Sequence, residues 1–129
     1  MLFHTFNSQD ERRRYGGSAF IEMQFCTMPA GTPITELVAV DNIKNWQNDS
    51  LYIDDENAFY EEYSSIFDCG VYNNLQCGTV DIYGINYYSP VVTDFIIEKV
   101  LMDKPQDSVP LLECLRKAKN YNCFYILGL

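Results

Sequence analysis

Hydrophobic residues along this chain follow two spacings, and each spacing predicts one kind of element. Alternating apolar and polar positions are typical of a strand, whereas apolar residues three and four positions apart are typical of a helix. Strands are predicted in four apolar segments: residues 1–6 (an edge strand), 19–26, 79–88 and 120–129. Helices are predicted from Pro33 into the region 41–46, from Asp54 and Asp55, from Pro90 to about residue 102, and from Ser108 to about residue 119.

Three segments in the first third of the chain allow two interpretations. Residues 19, 21, 23 and 25 alternate as in a strand, yet residues 20, 23 and 27 have helical spacing; we favour the strand. The helix from Pro33 has no clear end, because the run ELVAV is equally compatible with a strand. Residues 7–18 predict a polar turn ending at two glycines. Its three arginines, Arg12 to Arg14, are either solvated or clamp onto the acidic helix described next.

The helix that opens at Asp54 and Asp55 is the most acidic element. Aspartate is a strong helix cap, and carboxylates in the first turn complement the positive end of the helix dipole. A rotation of 100° per residue places four apolar side chains on one face: Phe59, Tyr63, Ile66 and Phe67. Glu61 lies opposite and Glu62 at the boundary. Neither has a lysine or arginine four positions on, so neither acid has a local structural reason for its place.

The second half of the chain completes the predicted fold. Residues 68–78 form a loop, with Asn73 and Asn74 suited to left-handed backbone. The helix from Pro90 is expected to bury Val92, Phe95, Ile96 and Val100, and the helix from Ser108 to bury Leu111, Leu112, Leu115 and Ala118. The final strand is predicted to be central and beside the strand 79–88. The fold class is therefore a single α+β domain over residues 1–129, with a small, mostly antiparallel sheet and helices packed mainly on one face.

Charge is distributed unevenly. The formal net charge is -9, and residues 45–98 contain ten Asp or Glu but no Lys or Arg. Such a chain is repelled by nucleic-acid phosphates and by anionic lipid, so we expect neither as a direct partner. A basic protein is the partner that this charge favours. Ten tyrosines fit the same interpretation, because tyrosine is common at protein interfaces.

Candidate chemistry is sparse. The single histidine, His4, lies in an apolar segment, and no phosphate-binding loop, nucleophile elbow, calcium loop or paired-histidine motif occurs. Five cysteines form an odd set without metal-ligand spacing, which favours reduced thiols in a cytoplasmic protein. The chain has no long apolar run and no signal-peptide pattern. We therefore predict a protein that is not an enzyme and that uses no cofactor or metal.

Three stretches of running sequence resemble a known family. LYIDDENAFYEEYSSIF, GVYNNLQCGTVDIYGINYYSP and YNCFYILGL resemble the ribonuclease-toxin immunity proteins of contact-dependent growth inhibition systems, the CdiI type. The likeness covers about residues 50–129. It implies a small cytoplasmic protein that binds and blocks the nuclease domain of a delivered exoprotein, which commonly cuts tRNA. The producing cell would thereby survive its siblings' toxin.

Charge and resemblance together predict a contact surface. An acidic face can occupy the positive cleft in which a ribonuclease holds phosphates. The residues expected to supply charge contacts are Asp54, Asp55, Glu56, Glu61 and Glu62. The residues expected beside them are Tyr60, Tyr72 and Asn73. We expect a monomer that binds its toxin in a 1:1 complex.

Two other function classes stay open. An acidic DNA-mimic inhibitor of a host nuclease would need paired acids spaced like phosphates along an exposed surface, whereas the acids here concentrate in one helix. An enzyme that uses Asp or Glu with a metal would show a shifted melting temperature in Mg²⁺ or Mn²⁺.

Overall fold

In the computed structural model, which describes residues 1–128, seven strands form one sheet in which every pairing is antiparallel. The strands are β1 (Phe3–His4), β2 (Ile21–Phe25), β3 (Leu51–Ile53), β4 (Gly70–Val71), β5 (Cys77–Gly78), β6 (Ile85–Tyr88) and β7 (Phe124–Leu127). The helices are α1 (Gln9–Gly16), α2 (Ile34–Leu37), α3 (Glu56–Tyr63), α4 (Pro90–Asp103) and α5 (Ser108–Ala118), with a short 3-10 helix at Val40–Asn42. The spatial order is β1-β3-β2-β7-β6-β4-β5.

Both faces of the sheet are covered, but unequally. Alternate residues of β2 enter the larger core, which also holds the buried stripes of α3, α4 and α5: Phe59 and Tyr63, Ile96 and Val100, Leu111 and Leu115. The opposite face carries a smaller core in which Tyr87 and Tyr125 pack against Leu37 at the end of α2. The predicted α+β class, with an antiparallel sheet and helices mainly on one face, is confirmed.

The central strands lie where the sequence predicts them. β7 is flanked by β2 and β6, with Phe124 opposite both Phe25 and Tyr88. β1 is an edge strand. All five residues of β2 are buried, because helices cover one side and residues 44–50, which bond to Glu22 and Gln24, cover the other.

Caps define the longer helices. The Asp55 carboxylate accepts a hydrogen bond from the Ala58 N–H at 3.0 Å, as expected for the start of α3. Ser89 caps α4 through its hydroxyl, with Pro90 in the first turn. α5 begins at Ser108, although Asp107 rather than Ser108 is its N-cap residue.

The polar turn predicted at residues 7–18 is wrong, and so is the clamp onto the acidic helix; Arg13 and Arg14 are exposed, as the solvated alternative predicts, but Arg12 is not. Residues 9–16 form α1, capped by the Ser8 hydroxyl, which accepts from the Glu11 N–H at 3.1 Å. Arg12 is only 3% exposed. It donates to Gln9 Oε1 at 2.7 Å, and its guanidinium lies 3.9 Å from the centre of the Trp46 ring. It therefore stacks on an aromatic residue instead of reaching α3. A helix this polar lacks the apolar spacing by which helices are predicted.

Three further element predictions need correction. The helix from Pro33 stops at Leu37, and only the short 3-10 helix follows. The strand β3 was not predicted, because its three residues directly precede the acidic helix. The strand predicted over residues 79–88 is formed only at Ile85–Tyr88. In the first and third cases the sequence has the right apolar residues, but a turn interrupts them.

The buried stripe of α4 also differs from the prediction. Ile96 and Val100 are buried as expected, and Thr93 joins them. Phe95 is 61% exposed. The helix has apolar residues on two faces, so its spacing alone did not show which face enters the core.

One buried carboxylate organises the approach to β3. Glu22 of β2 is 1% exposed and carries no ion pair within residues 1–128. Its Oε1 accepts from the Trp46 N–H at 2.7 Å, and its Oε2 accepts from the Gln47 N–H at 2.9 Å and the Ser50 hydroxyl at 2.6 Å. The Gln24 side chain donates to Oε2 as well, at 3.2 Å. These bonds satisfy a charge that would otherwise be costly to bury, and they fix the segment that leads into β3 and α3.

Replacing Glu22 with Gln should destabilise the protein by about 1–3 kcal/mol, because an amide NH₂ cannot accept the bonds that one carboxylate oxygen accepts here. Urea unfolding measures the change. The exposed Glu113→Gln, on α5, is the matched control and should change stability by less than about 0.5 kcal/mol. Equal stability of the two variants would show that the Glu22 hydrogen bonds do not hold this segment.

Candidate functional site

A cleft lies between α3 and the turn that precedes β6. We call it the acidic cleft; its volume is about 690 Å³, and it is lined by Asn57, Tyr60, Glu61, Val80, Asp81, Ile82 and Tyr83. Two carboxylates and two tyrosines therefore share one concave surface. Ligand sites are usually concave and combine apolar walls with a few polar groups.

Helix α3 supplies one wall of the acidic cleft. Phe59 and Tyr63 are fully buried against the sheet, and the Tyr63 hydroxyl donates to Gln106 O at 2.6 Å. This anchoring turns Tyr60 and Glu61 outwards, and both are exposed. The wall is therefore a fixed helix whose outer residues make no contribution to the core.

A tight turn supplies the other wall. The Gly84 N–H bonds to Asp81 O at 3.3 Å, and Asp81 Oδ1 accepts from the Tyr83 N–H at 2.9 Å. Asp at the first and glycine at the fourth position are typical of a type I turn. The turn leaves Tyr83 68% exposed at the rim of the cleft.

A buried asparagine ties this turn to the sheet. Asn86 of β6 is fully buried. Its side chain accepts from the Asp81 N–H at 2.8 Å and donates to Asp81 O at 2.8 Å and to Ile126 O at 2.9 Å. Asn86 therefore positions the Asp81 backbone relative to the central strand β7.

Gly128 permits the same turn to approach the end of β7. Its N–H donates to Gly84 O at 2.7 Å, and an added Cβ would lie 2.5 Å from backbone atoms of Gly84 and Ile82. Any larger residue there would push the turn away, which explains the glycine.

The acidic cleft carries negative charge without compensation. Among the ten acids of residues 45–98, two form ion pairs within residues 1–128: Asp68 with Lys99 at 3.2 Å and Asp94 with Lys119 at 2.6 Å. Asp54 lies within hydrogen-bond distance of the His4 ring, at 3.1 Å. In this part of the chain Glu61 and Asp81 pair with no cation. Like-signed charge in a concave site attracts ligands of the opposite sign.

The remaining predicted site residues occupy three places. Asp54, Asp55 and Glu56 line a second depression of about 540 Å³ that shares Asn57 with the acidic cleft. Asp55 is partly engaged by its cap. Glu62 has a structural contact, because its Oε2 accepts from the Gln106 N–H at 3.2 Å in the connection between α4 and α5.

Tyr72 and Asn73 belong to the hairpin formed by β4 and β5. The Tyr72 hydroxyl donates to Thr79 O and closes the hairpin, while Asn73 is exposed near its tip. Burial raises the pKa of Tyr72, and the nearby Asp81 and Tyr60 add to this shift. The hairpin thus lies beside the acidic cleft, although neither residue lines it.

Two cysteines belong to this region: Cys69 directly precedes β4, and Cys77 lies in β5. Both have free, exposed thiols. The Cys69 thiol donates to Asp68 Oδ1 at 3.1 Å. This bond raises the pKa of Cys69 and lowers the pKa of the Asp68 carboxyl. Cys69 is thereby held in its poorly nucleophilic, protonated form.

Sequence reasoning missed Asp81 and Tyr83 as members of the site. Both were assigned to a strand, although the spacing Asp81-x-x-Gly84 is a turn signature that could have placed them at the surface. Their proximity to Tyr60 and Glu61 depends on the sheet order and could not be read from the sequence.

Within residues 1–128 no three His, Cys, Asp or Glu side chains come together as a metal site, and no helix has the length and apolarity to cross a membrane. Comparison of the chain with protein-family models, with curated proteins and with solved structures finds no match.

Replacing Asn86 with Ala should release the turn, because it removes three buried hydrogen bonds. We expect a loss of about 2–3 kcal/mol of stability and faster chymotrypsin cleavage after Tyr83 under native conditions. The control is Asn7→Ala at an exposed position, which should alter neither. If cleavage after Tyr83 is unchanged in the Asn86 variant, that side chain does not hold the turn.

Proposed function

We propose that this chain is an immunity protein that binds and neutralises a ribonuclease toxin domain by covering its basic active-site cleft. The observation that carries the proposal is the acidic cleft itself, in which Glu61 and Asp81 lie beside exposed tyrosines and pair with no cation of residues 1–128. The resemblance to immunity proteins of contact-dependent growth inhibition supports the same function. The toxin would commonly be a tRNA nuclease.

The electrostatic argument concerns capture as well as affinity. A ribonuclease must present lysines and arginines where it holds RNA phosphates. A carboxylate face competes for those same groups, and long-range attraction speeds the encounter. Rapid association matters because the toxin has to be bound before it cuts RNA. The cytoplasm of the producing cell is where this binding would take place.

Tyrosines complete the proposed contact. Tyr60 is 43% exposed and stands next to Glu61 on α3, while Tyr83 lies across the cleft. An aromatic face attracts a lysine or arginine cation, and the hydroxyl can bond to the partner's backbone. The site therefore offers both charge and contact area to a basic protein.

A binding role fits the side chains better than a catalytic one. The single histidine, His4, lies 3.1 Å from the Asp54 carboxylate and outside the acidic cleft. The lining of the acidic cleft contains no histidine, cysteine, serine or lysine beside Glu61 and Asp81. We therefore assign no catalytic residue.

The proposal is tested by mixing the purified chain with ribonuclease domains from contact-dependent growth inhibition exoproteins, starting with any encoded immediately upstream of its gene. One domain should lose its tRNA cleavage at a 1:1 ratio, and the complex should weaken from low to moderate salt. A basic pancreatic-type ribonuclease is the specificity control and should stay active. Absence of inhibition for every domain, or salt-insensitive binding, would contradict the proposal.

Neutralising the acidic cleft with Glu61→Gln and Asp81→Asn should slow association with the inhibited domain by about threefold to tenfold and reduce its salt dependence. The amide oxygen introduced by Asp81→Asn can still accept the bond from the Tyr83 N–H, so the turn is kept. The matched control is Glu36→Gln with Asp41→Asn, which removes the same charge from α2 and the 3-10 helix. Stopped-flow fluorescence measures the rates. Equal slowing by both double variants would mean that net charge alone, and not the acidic cleft, guides binding.

A further inference from the structure

Helix α4 has a second apolar face that the fold does not use. With about 100° of rotation per residue, Val91, Phe95 and Met102 fall within about 40° of one another. Ile96 and Val100, which are buried, lie on roughly the opposite side. Val91 is 66%, Phe95 61% and Met102 80% exposed. An ordinary surface helix has one apolar face and one polar face.

Nothing in the fold of α4 requires these three side chains. Ser89 caps the helix, Pro90 suits its first turn, and the buried stripe attaches it to the sheet. Exposed apolar patches of this kind mark interaction sites more often than single scattered residues do. The outer face of α4 therefore has the properties of a contact surface.

The charge within this face argues against a second copy of the chain as its occupant. Glu98 falls between Phe95 and Met102 on the same side of the helix, is exposed, and pairs with no cation within residues 1–128. A second copy would bring the same carboxylate and a further net charge of -9. A partner that brings apolar side chains together with a lysine or arginine complements this face.

The outer face of α4 and the acidic cleft lie on the same side of the sheet. The buried stripes of α3 and α4 enter the same core, so their opposite faces both point away from the sheet on that side. The Asp68–Lys99 ion pair, at 3.2 Å, joins the segment after α3 to α4. A single protein could thus touch both surfaces.

We propose that the outer face of α4, formed by Val91, Phe95, Glu98 and Met102, is an apolar contact surface for the same basic ribonuclease domain, an inference that rests on the proposed function. Its role differs from that of the acidic cleft. Exposed charges act mainly on the rate of association, whereas a desolvated apolar contact acts mainly on the rate of dissociation. The acidic cleft would capture the toxin and the α4 face would retain it.

The test compares wild type with Phe95→Ala and Met102→Ala together, using the ribonuclease domain that the neutralisation assay selects. Dissociation should be about tenfold faster or more, with the association rate and salt dependence unchanged. Ile34→Ala removes a side chain that is 38% exposed in α2, whose Leu37 packs in the core of the opposite face, and it serves as the control. Circular dichroism should show equal folding of all variants.

Three results would overturn the inference, and they are distinguishable. If the dissociation rate of the double variant is within twofold of wild type and neutralisation is intact, the α4 face is not a contact surface, but the proposed function is unaffected. If no ribonuclease domain binds wild type at all, both fall. If wild type sediments as a dimer that Phe95→Ala with Met102→Ala converts to monomer, the occupant is a second copy and not the toxin.

Discussion

Polar side chains buried in the sheet hold the irregular segments on which the surface of this protein depends. Glu22 on β2 binds the backbone before β3, and that connection leads directly into the acidic helix α3. Asn86 on β6 binds the Asp81 backbone in the same manner. A buried acceptor or donor without a partner is costly, so each of these side chains selects one arrangement of the loop that satisfies it. Both walls of the acidic cleft are therefore tied to the interior, and a hydrogen bond from the Val80 N–H to Phe67 O, at 2.8 Å, joins the second wall to the segment after α3.

Some of the acids of residues 45–98 have a partner within the fold, and others have none. Asp55 caps α3, and Asp68 and Asp94 pair with lysines, so these charges have partners in the chain itself. Glu61 and Asp81 have none within residues 1–128, and both line the acidic cleft. Five of the nine basic residues lie in residues 99–119 and none in residues 45–98. The uncompensated carboxylates of the acidic cleft attract cations, which is the physical basis of the proposed toxin binding.

Elements with a cap and a single apolar face could be predicted from the sequence, as α3 shows. The prediction failed for helices whose apolar residues lacked helical spacing or lay on two faces. Helix α1 is almost wholly polar, and it depends on its Ser8 cap and on burial of Arg12, which no periodicity indicates. Phe95 was placed in the core because α4 is apolar on two sides. Of the two acids in the acidic cleft, only Glu61 was predicted from the sequence, because no lysine or arginine lies four positions after it. Asp81 lies near Glu61 only because of the order of the strands in the sheet.

Hydrogen exchange of the chain, free and bound to the ribonuclease domain that it inhibits, tests the central claim most directly. Our account predicts slower exchange on binding in α3, in the turn at residues 80–84 and in α4, with little change in α2. Protection confined to the α2 side, with α3 and the turn exchanging as in the free chain, would contradict it.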